Sequence, residues 1–257
     1  MKNVNKKVLV IGDSCVDQFV YCSSKRLCPD VPVPVLNVVN QQNNDGMAMN
    51  VYKNLLSLGF SESCCKIVTQ SNWKSVTKTR YMHLESNHMF IRIDSNQENI
   101  KRINISKFLD NIRNSYDIIA ISDYNKGFLT EYDIEAICYN NPNVFIDTKK
   151  KIGDYLLKAK FIKINTPEYK ESEDFINLNS TISEKIIRTC GGDGAYYKGK
   201  CFPSKKVEVR DVSGAGDTFF AGLVYKYAET ENIEKAIRFA NQCAGYVVQR
   251  KGVSNSI

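Results

Sequence analysis

The residues best suited to chemistry lie in the stretch VRDVSGAGDTFFAGLVYKYAE, residues 209–229. Small residues from Ser213 to Gly216 lead directly into the carboxylate of Asp217, and the apolar residues after it recur at helical spacing. Backbone without bulky side chains lets a ligand approach closely, and the N–H groups that open a helix bind anions. A carboxylate beside a bound anion is repulsive unless it has a task, and taking a proton during phosphoryl transfer is one that fits. A glycine-rich turn with an acid at a helix start is the alternative that this stretch leaves open.

A second glycine-rich stretch, GAYYKGKC at residues 194–201, has the spacing of a phosphate-binding loop but the wrong surroundings. Such a loop needs a strand before it, a helix after it and a bare interior. Here Tyr196 and Tyr197 fill the interior, and no helix start follows. The stretch instead predicts a β-hairpin that turns at Lys198 and Gly199.

The elements that must position Asp217 are indicated by short apolar runs that alternate with amphipathic stretches. Strands joined through helices form a mainly parallel sheet, so the alternation predicts an α/β fold. Strands are expected at 7–13, 116–123, 143–148, 161–166, 185–192 and, just before the glycine-rich turn, 205–212; helical patterns cover 105–114, 130–140 and 151–160.

Four of the predicted strands end in a polar residue: Asp13, Asp123, Asp147 and Asn165. In open α/β sheets, ligands bind beyond the carboxyl ends of the strands, which makes these side chains site candidates. Each of them, taken alone, is better explained as a helix cap or a turn residue.

Two further segments, about 17–40 and 76–94, have a different character. They consist of extended patterns with no helical pattern between the strands, and Pro32 and Pro34 suit an edge strand. We expect these strands to form a small separate sheet over one end of the main domain.

The composition excludes several classes of function. The 257 residues are 43% hydrophobic and 25% charged, with a net charge of +7, and contain neither an apolar run of membrane-spanning length nor a signal-peptide pattern. The expectation is therefore a cytoplasmic protein without a membrane partner. Nine cysteines without a C-x-x-C pair and two histidines do not form a zinc motif. The charge is mixed rather than blocked, so we expect no nucleic-acid partner and favour small phosphorylated ligands.

The stretch DVSGAGDTFFAGL resembles the C-terminal signature of the ribokinase-like carbohydrate kinases, the PfkB family. The resemblance extends over nearly the whole chain. It implies a single ribokinase-like domain over residues 1–257, with a central mainly parallel sheet, flanking helices and a small β-strand lid that often mediates dimerisation. In that family the aspartate is the catalytic base and the small residues form the anion hole, which assigns these roles to Asp217 and to Gly214, Ala215 and Gly216.

The same resemblance implies a nucleotide side and the cofactors ATP and Mg²⁺, with a monovalent cation also allowed. NTPE matches the family's N-x-x-E element, which implicates Asn165 and Glu168 in organising magnesium and phosphate through water. RTCGGDGAYY is similar to the nucleotide-side turn, and FANQCAG resembles the helix beside the adenine. The ATP contacts implied there are Thr189, Gly191, Gly194 and Asn241.

On the acceptor side, several segments are most similar to the bacterial D-glycero-D-manno-heptose 7-phosphate kinases. These are SSKRLCPDVPVPVLNV, TKTRYM…IRID, SDYNKG and IDTKK. The resemblance implies transfer of the γ-phosphoryl group to the anomeric hydroxyl, which gives the 1,7-bisphosphate. Cations suit a substrate that already carries a phosphate. The substrate-binding residues implied are Asp17, Arg26, Gly46, Asn50, Arg80, Asp123, Lys126 and Lys149.

The sequence also departs from the family. Met47 stands where a second glycine is usual, which predicts a narrowed or reshaped sugar pocket, and the segment between Gly59 and Val76 is short. These departures keep two alternatives open: a kinase of the same family for another sugar, sugar phosphate or nucleoside, and a degenerate kinase fold that only binds sugar phosphate or nucleotide. Because Asp217 and the NTPE element are intact, the sequence favours an active kinase.

Overall fold

The computed structural model describes residues 6–86, 88–112 and 115–250 of the chain. Its strands are β1 Val8–Gly12, β2 Ser14–Ser23, β3 Asn37–Met47, β4 Cys65–Val68, β5 Thr77–His83, β6 Met89–Ser95, β7 Ile118–Asp123, β8 Val144–Thr148, β9 Phe161–Asn165, β10 Ile186–Thr189, β11 Ala195–Tyr197 and β12 Lys200–Phe202. Its helices are α1 Ala48–Leu58, α2 Ile105–Ile112, α3 Glu131–Asn140, α4 Thr166–Glu171, α5 Glu173–Leu178, α6 Ser180–Ser183, α7 Ala215–Thr230 and α8 Ile233–Val247.

The main sheet has eight strands in the order β12-β11-β10-β9-β8-β7-β1-β4. The six strands from β10 to β4 are parallel, and β11 and β12 add an antiparallel hairpin at one edge. The central strands β1, β7 and β8 are buried along their whole length, as expected for a sheet covered on both faces. One apolar core packs α1, α7 and α8 on one face, and a second packs α2 to α6 on the other. The fold is ribokinase-like, as the sequence predicted.

The hairpin prediction for residues 194–201 is confirmed. β11 pairs antiparallel with β12, and Lys198 and Gly199 between them both have positive φ, 48° and 72°. Positive φ at both central residues defines the two-residue turn that matches the twist of a hairpin. The stretch is therefore an edge hairpin and not a phosphate-binding loop.

The lid is a separate four-stranded sheet in the order β3-β2-β5-β6. Its register places Asp17, Lys78 and Asp94 side by side on one face, because Asp17 pairs with Lys78 and Lys78 with Asp94. Since side chains alternate along a strand, Arg80 and Arg92 lie on this same face. We call this the inner face of the lid.

The lid is joined to the main domain without long linkers. β1 ends at Gly12 and β2 begins at Ser14, while β3 ends at Met47 and α1 begins at the next residue. Between α1 and the lid strand β5, the short segment after Gly59 forms the edge strand β4 and a single 3₁₀ turn at Trp73–Ser75.

Two predictions of secondary structure were wrong. The helical pattern at 151–160 forms only one 3₁₀ turn, Asp154–Leu156, because Gly153 just before it is fully extended (φ −155°, ψ −176°). The expected strand at 205–212 is not assigned as a strand. The N–H groups of Arg210 and Asp211 instead donate to the carbonyl of Val248 after α8, so the segment follows that helix end.

Candidate active site

The carboxylate of Asp217 lies in the first turn of α7 and is held through both oxygens. The Tyr124 hydroxyl donates to Oδ1 at 2.7 Å, and the Asn50 amide donates to Oδ2 at 2.9 Å. Asn54, one turn further along α1, donates to Asn50 Oδ1 at 2.9 Å, which leaves the Asn50 nitrogen to face Asp217. Three elements, α1, α7 and the loop after β7, thus fix one carboxylate.

Burial is the main influence on the pKa of Asp217. It raises the pKa of this carboxyl to about 6, although the hydrogen bonds from Tyr124 and Asn50 lower it. Asp147 raises it further and Lys163 lowers it. A carboxylate with a pKa near 6 is still ionised at neutral pH, and it is a stronger base than an exposed aspartate.

Tyr124 is positioned by Asp13, the acid at the end of β1. Oδ2 of Asp13 accepts the N–H groups of Tyr124 (2.8 Å) and Lys126 (3.3 Å), and Oδ1 accepts that of Phe128 (3.2 Å). Burial, together with Asp123, raises the pKa of Asp13. Burial and the nearby Asp217 raise the pKa of Tyr124 well above its usual value, so its hydroxyl remains a donor.

The start of α7 is built as an anion site. Gly214 caps the helix with φ 77°, a left-handed conformation that favours glycine. The N–H groups of Gly216 and Asp217 have no acceptor among the residues that the structure describes. A Cβ added to Gly216 would lie 3.3 Å from Lys163 Nζ, so this ammonium stands beside the same helix start.

Lys163 and Asp147 form a buried ion pair at the carboxyl ends of β9 and β8. Nζ donates to Asp147 Oδ2 at 2.8 Å, and both side chains are almost completely buried. The other oxygen, Asp147 Oδ1, has no hydrogen-bond partner among the described residues. A buried carboxylate oxygen without a partner is expensive, which marks this oxygen as a place for a ligand group or water.

The inner face of the lid carries Asp17 and Arg80, two of the residues predicted to bind the acceptor. Arg80 pairs with Asp17 at 2.5 Å and lies over the Phe19 ring. A Cβ on Gly46 would lie 2.4 Å from Asp17 Oδ2, so only glycine leaves room for this carboxylate. Lys78 is largely buried and lies 4.8 Å from the Tyr124 ring centroid, with no hydrogen bond to a described residue.

Asn165 and Glu168 form a reciprocal cap at the start of α4. The Glu168 N–H donates to Asn165 Oδ1, and Glu168 Oε2 accepts the Asn165 N–H at 2.8 Å. Lys149 donates to Glu168 and lies over the Tyr124 ring. Burial disfavours its charge, but Asp147 and Glu168 raise its pKa.

A cavity of about 530 Å³ adjoins the start of α7 on the side away from the lid. Apolar side chains, Phe219, Val207 and Val248 among them, line part of it. The residues predicted for ATP and the anion hole that line it are Thr189, Gly191, Gly194, Asn241, Ala215 and Gly216.

Three of the residues predicted to bind the acceptor sugar form no side-chain hydrogen bond with Asp217 or with the side chains that hold it. Asp123 is buried and accepts from Thr148 (2.6 Å) and from Lys150 (2.9 Å), so it organises the end of β7. Arg26 is exposed, three residues beyond the outer end of β2. Lys126 touches the site through its backbone N–H to Asp13.

Sequence reasoning missed Tyr124, Lys78 and Lys163 and named Asp147 only as the end of a strand. Two signals were available. Lys163 is a charged residue within an otherwise apolar strand. Lys78 lies two residues before Arg80, so Lys78 and Arg80 lie on one face of β5.

Together, a fixed carboxylate, a bare helix start and a cavity beside it form a site that is suited to phosphoryl transfer to an alcohol group. Residues 133–257 match the model of the pfkB family carbohydrate kinases. The match covers just under half of the chain and agrees with the resemblance that its motifs carry.

Curated relatives and solved structures agree with this assignment. The chain is 27% identical over 293 residues to the bifunctional protein HldE of Nitratiruptor sp., covering 97% of this chain and 63% of that protein. It is 30% identical over 288 residues to the HldE of a Campylobacter jejuni strain, covering 96% of this chain and 62% of the relative. The chain thus spans less than two thirds of the length of these relatives.

The structural likeness is to ribokinases. The ribokinase of Thermotoga maritima superposes with a TM-score of 0.72 at 17% identity, over 98% of this chain and 96% of the other. Phosphofructokinase-2 from Escherichia coli gives 0.70 at 14% identity, over 96% and 94%. In the described part of the chain, no helix is long and apolar enough to cross a membrane.

Proposed function

We propose that the protein is an ATP- and Mg²⁺-dependent kinase for a sugar that already carries a phosphate. The leading acceptor is O1 of D-glycero-D-manno-heptose 7-phosphate. The observation that carries the proposal is the position of Asp217, which stands between the cavity beside α7 and the inner face of the lid, with both oxygens held.

In this proposal Asp217 takes the proton of the attacking hydroxyl. The N–H groups of Gly216 and Asp217, aided by the helix dipole, stabilise the charge that develops on the transferring phosphoryl group. The Lys163 ammonium supports them from the neighbouring strand. Preorganised donors of this kind are worth about 3–4 kcal/mol each in related chemistry.

The cations of the site support a phosphorylated acceptor. Arg80 and Lys149 are paired with Asp17 and Glu168, whereas Lys78 has no carboxylate partner among the described residues. A buried ammonium that forms no direct ion pair is costly, because Asp94 acts on it only at longer range, and a substrate phosphate would give it a direct partner. We therefore add Lys78 to the residues that bind the acceptor.

Magnesium fits the donor set at the ends of β8 and β9. Mg²⁺ takes oxygen ligands and usually retains several waters. Glu168 and the unpartnered Oδ1 of Asp147 would hold it, with Asn165 acting through water. When bound with ATP, the ion would neutralise charge on the phosphates.

A kinase of the same family for another sugar is the second candidate. The observation that favours it is that Arg26 and Lys126, expected near a substrate phosphate, make no side-chain contact with the groups around Asp217. A catalytically inactive binder is less well supported, because a binder has no need of a carboxylate fixed at both oxygens.

The test is ATP consumption with Mg²⁺ against a panel of sugars and sugar phosphates that includes the heptose 7-phosphate. Wild type, Asp217→Asn and the exposed control Asp110→Asn would be compared. We expect turnover of the heptose phosphate that falls about 10²–10⁴-fold in Asp217→Asn and is unchanged in the control. Turnover of a different acceptor would replace the substrate and keep the mechanism. ATP binding without turnover of any acceptor would favour the binder.

We also propose a cytoplasmic location and a homodimer formed through the lid. The face of β6 opposite the inner face carries Ile91 and Ile93, which are 52% and 45% exposed. Exposed apolar rows on a sheet are typical of interfaces. A monomeric mass by light scattering at micromolar concentration would contradict the homodimer.

A further inference from the structure

A second cavity of about 530 Å³ lies far from Asp217, where α4, α5 and α6 meet the edge hairpin of the main sheet. Its walls include Ile176 and Ile186 from the core beneath α5, and Tyr197 and Lys198 from the hairpin. None of these residues belongs to the proposed kinase site.

Arg188 stands in this cavity with an unusual set of contacts. Its guanidinium carbon lies 4.7 Å from the Tyr169 ring centroid and 5.1 Å from that of Tyr196. Both distances are within the range of cation–π attraction, so the two rings stabilise the cation. No carboxylate, carbonyl or hydroxyl of the described residues accepts a hydrogen bond from it. The nearest acid of the cavity, Glu184, pairs with Lys198 at 3.4 Å instead.

This arrangement leaves the edge of the guanidinium available. The N–H donors of arginine lie in the plane of the group and match the two oxygens of a carboxylate or phosphate. With the two rings close to the guanidinium carbon, the in-plane donors are the groups of Arg188 that an anion can use. The apolar walls beside it suit a ligand with an apolar body.

We propose that this cavity binds a small organic anion, a carboxylate or phosphate attached to an apolar group, through the in-plane donors of Arg188. The proposal does not depend on the proposed kinase activity.

The cavity is placed to influence the nucleotide side. On β10, Arg188 points to one face of the sheet together with Ile186, while Thr189 lies on the other face and lines the cavity beside α7. Tyr169 directly follows Glu168 in α4. An anion held by Arg188 therefore contacts two elements that also carry predicted ATP and magnesium residues.

The test is calorimetric titration of the full chain with phenyl phosphate, which has an anion and an apolar body, and with phenol as the neutral analogue. The variants are Arg188→Gln, Arg188→Lys and, as the matched control, Arg238→Gln, because Arg238 also lies over a ring, Phe202, but outside the cavity. Lys78→Gln is included because the kinase cleft could bind the same probe.

We expect one equivalent of phenyl phosphate to bind to wild type, Arg238→Gln and Lys78→Gln. The Kd should rise about tenfold or more in Arg188→Gln, since a charge-assisted hydrogen bond is lost. Arg188→Lys keeps a cation but not the planar donors, so its Kd should rise severalfold. This variant still tests the proposal if the glutamine variant fails to fold. Equal binding of phenol, unchanged binding in both Arg188 variants, or loss only in Lys78→Gln would overturn the proposal.

Discussion

The Tyr124 hydroxyl donates to Oδ1 of Asp217 at 2.7 Å, so the residue that follows β7 fixes the carboxylate that opens α7. The tyrosine is itself held by its N–H group on Asp13, at the end of β1. A chain of two hydrogen bonds therefore connects the centre of the main sheet to the proposed base. The following predictions depend on this arrangement and on the connections between the lid and the main domain.

The pH dependence of catalysis should follow Asp217. Because its pKa is raised to about 6 in the free protein, kcat/KM for the acceptor should increase with pH through about 6 and then level off. A pH–rate profile at acceptor concentrations well below KM measures this. A profile that is flat between pH 5 and 8 would show that another group is the base.

Stability should change in the opposite direction. The native state binds more protons than the unfolded state between the unfolded pKa of 3.8 and the folded value of about 6, so the free energy of unfolding should fall as pH rises through this window. The expected cost is on the order of 3 kcal/mol. Asp217→Asn should lose this part of the pH dependence, as measured by urea unfolding at pH 4.5 and 7.

Removing the tyrosine hydroxyl should weaken the base most at low pH. The hydrogen bond from Tyr124 lowers the pKa of Asp217, so Tyr124→Phe should raise that pKa by roughly one unit. Activity at pH 6 should fall about fivefold, and much less above pH 8. The control is Tyr132→Phe, an exposed tyrosine on α3. An equal loss at every pH would indicate a purely structural role.

Gly46 should be needed for the acceptor rather than for the nucleotide. A Cβ there would lie 2.4 Å from Asp17 Oδ2 and 2.7 Å from Cys15 Sγ. Gly46→Ala should therefore move Asp17 away from Arg80 and destabilise the fold by about 1–3 kcal/mol. We expect a raised KM for the acceptor with the KM for ATP nearly unchanged. Gly153→Ala, where a Cβ finds ordinary contacts, is the control, and a larger effect on ATP would contradict the assignment.

At position 47, the glycine variant should be more stable than the alanine variant, which is the reverse of the usual order. Met47 has φ 59° and ψ −133°, a conformation that an L side chain adopts with strain, and its side chain is fully buried. Met47→Ala and Met47→Gly both lose the buried side chain, but only glycine relieves the backbone. The glycine variant should be more stable by about 1 kcal/mol, by thermal or urea unfolding. If the alanine variant is the more stable, the backbone at residue 47 is not strained.

The same residue shows where sequence reasoning reached its limit. Met47 was expected to narrow the sugar pocket, but its side chain packs with Cys15 and Val76, with Tyr124 against that cluster. A sequence shows which residue replaces a glycine, but the side to which the new side chain points depends on backbone dihedrals that only the fold sets.

The main sheet and its edge hairpin were predictable for simple reasons. Strands such as β1 and β7 are continuous apolar runs, and the Lys198–Gly199 turn has residues that tolerate positive φ. The segment 151–160 was not predictable as a turn, because its apolar spacing is satisfied by Ile152, Tyr155 and Leu156 packing without a helix. Tyr124 and Lys78 meet Asp217 only through contacts between elements far apart in sequence, which no local pattern contains.

The direct joint between β3 and α1 gives the lid a mechanical connection to the reaction. Met47 ends a lid strand, and three residues later Asn50 donates to Asp217. With no loop between them to absorb movement, a shift of β3 changes the distance from the Asn50 amide to the carboxylate. A compound lodged under the lid would therefore alter the acidity of the base as well as exclude the sugar. Such an inhibitor could be recognised by a displaced pH optimum in the enzyme that remains active.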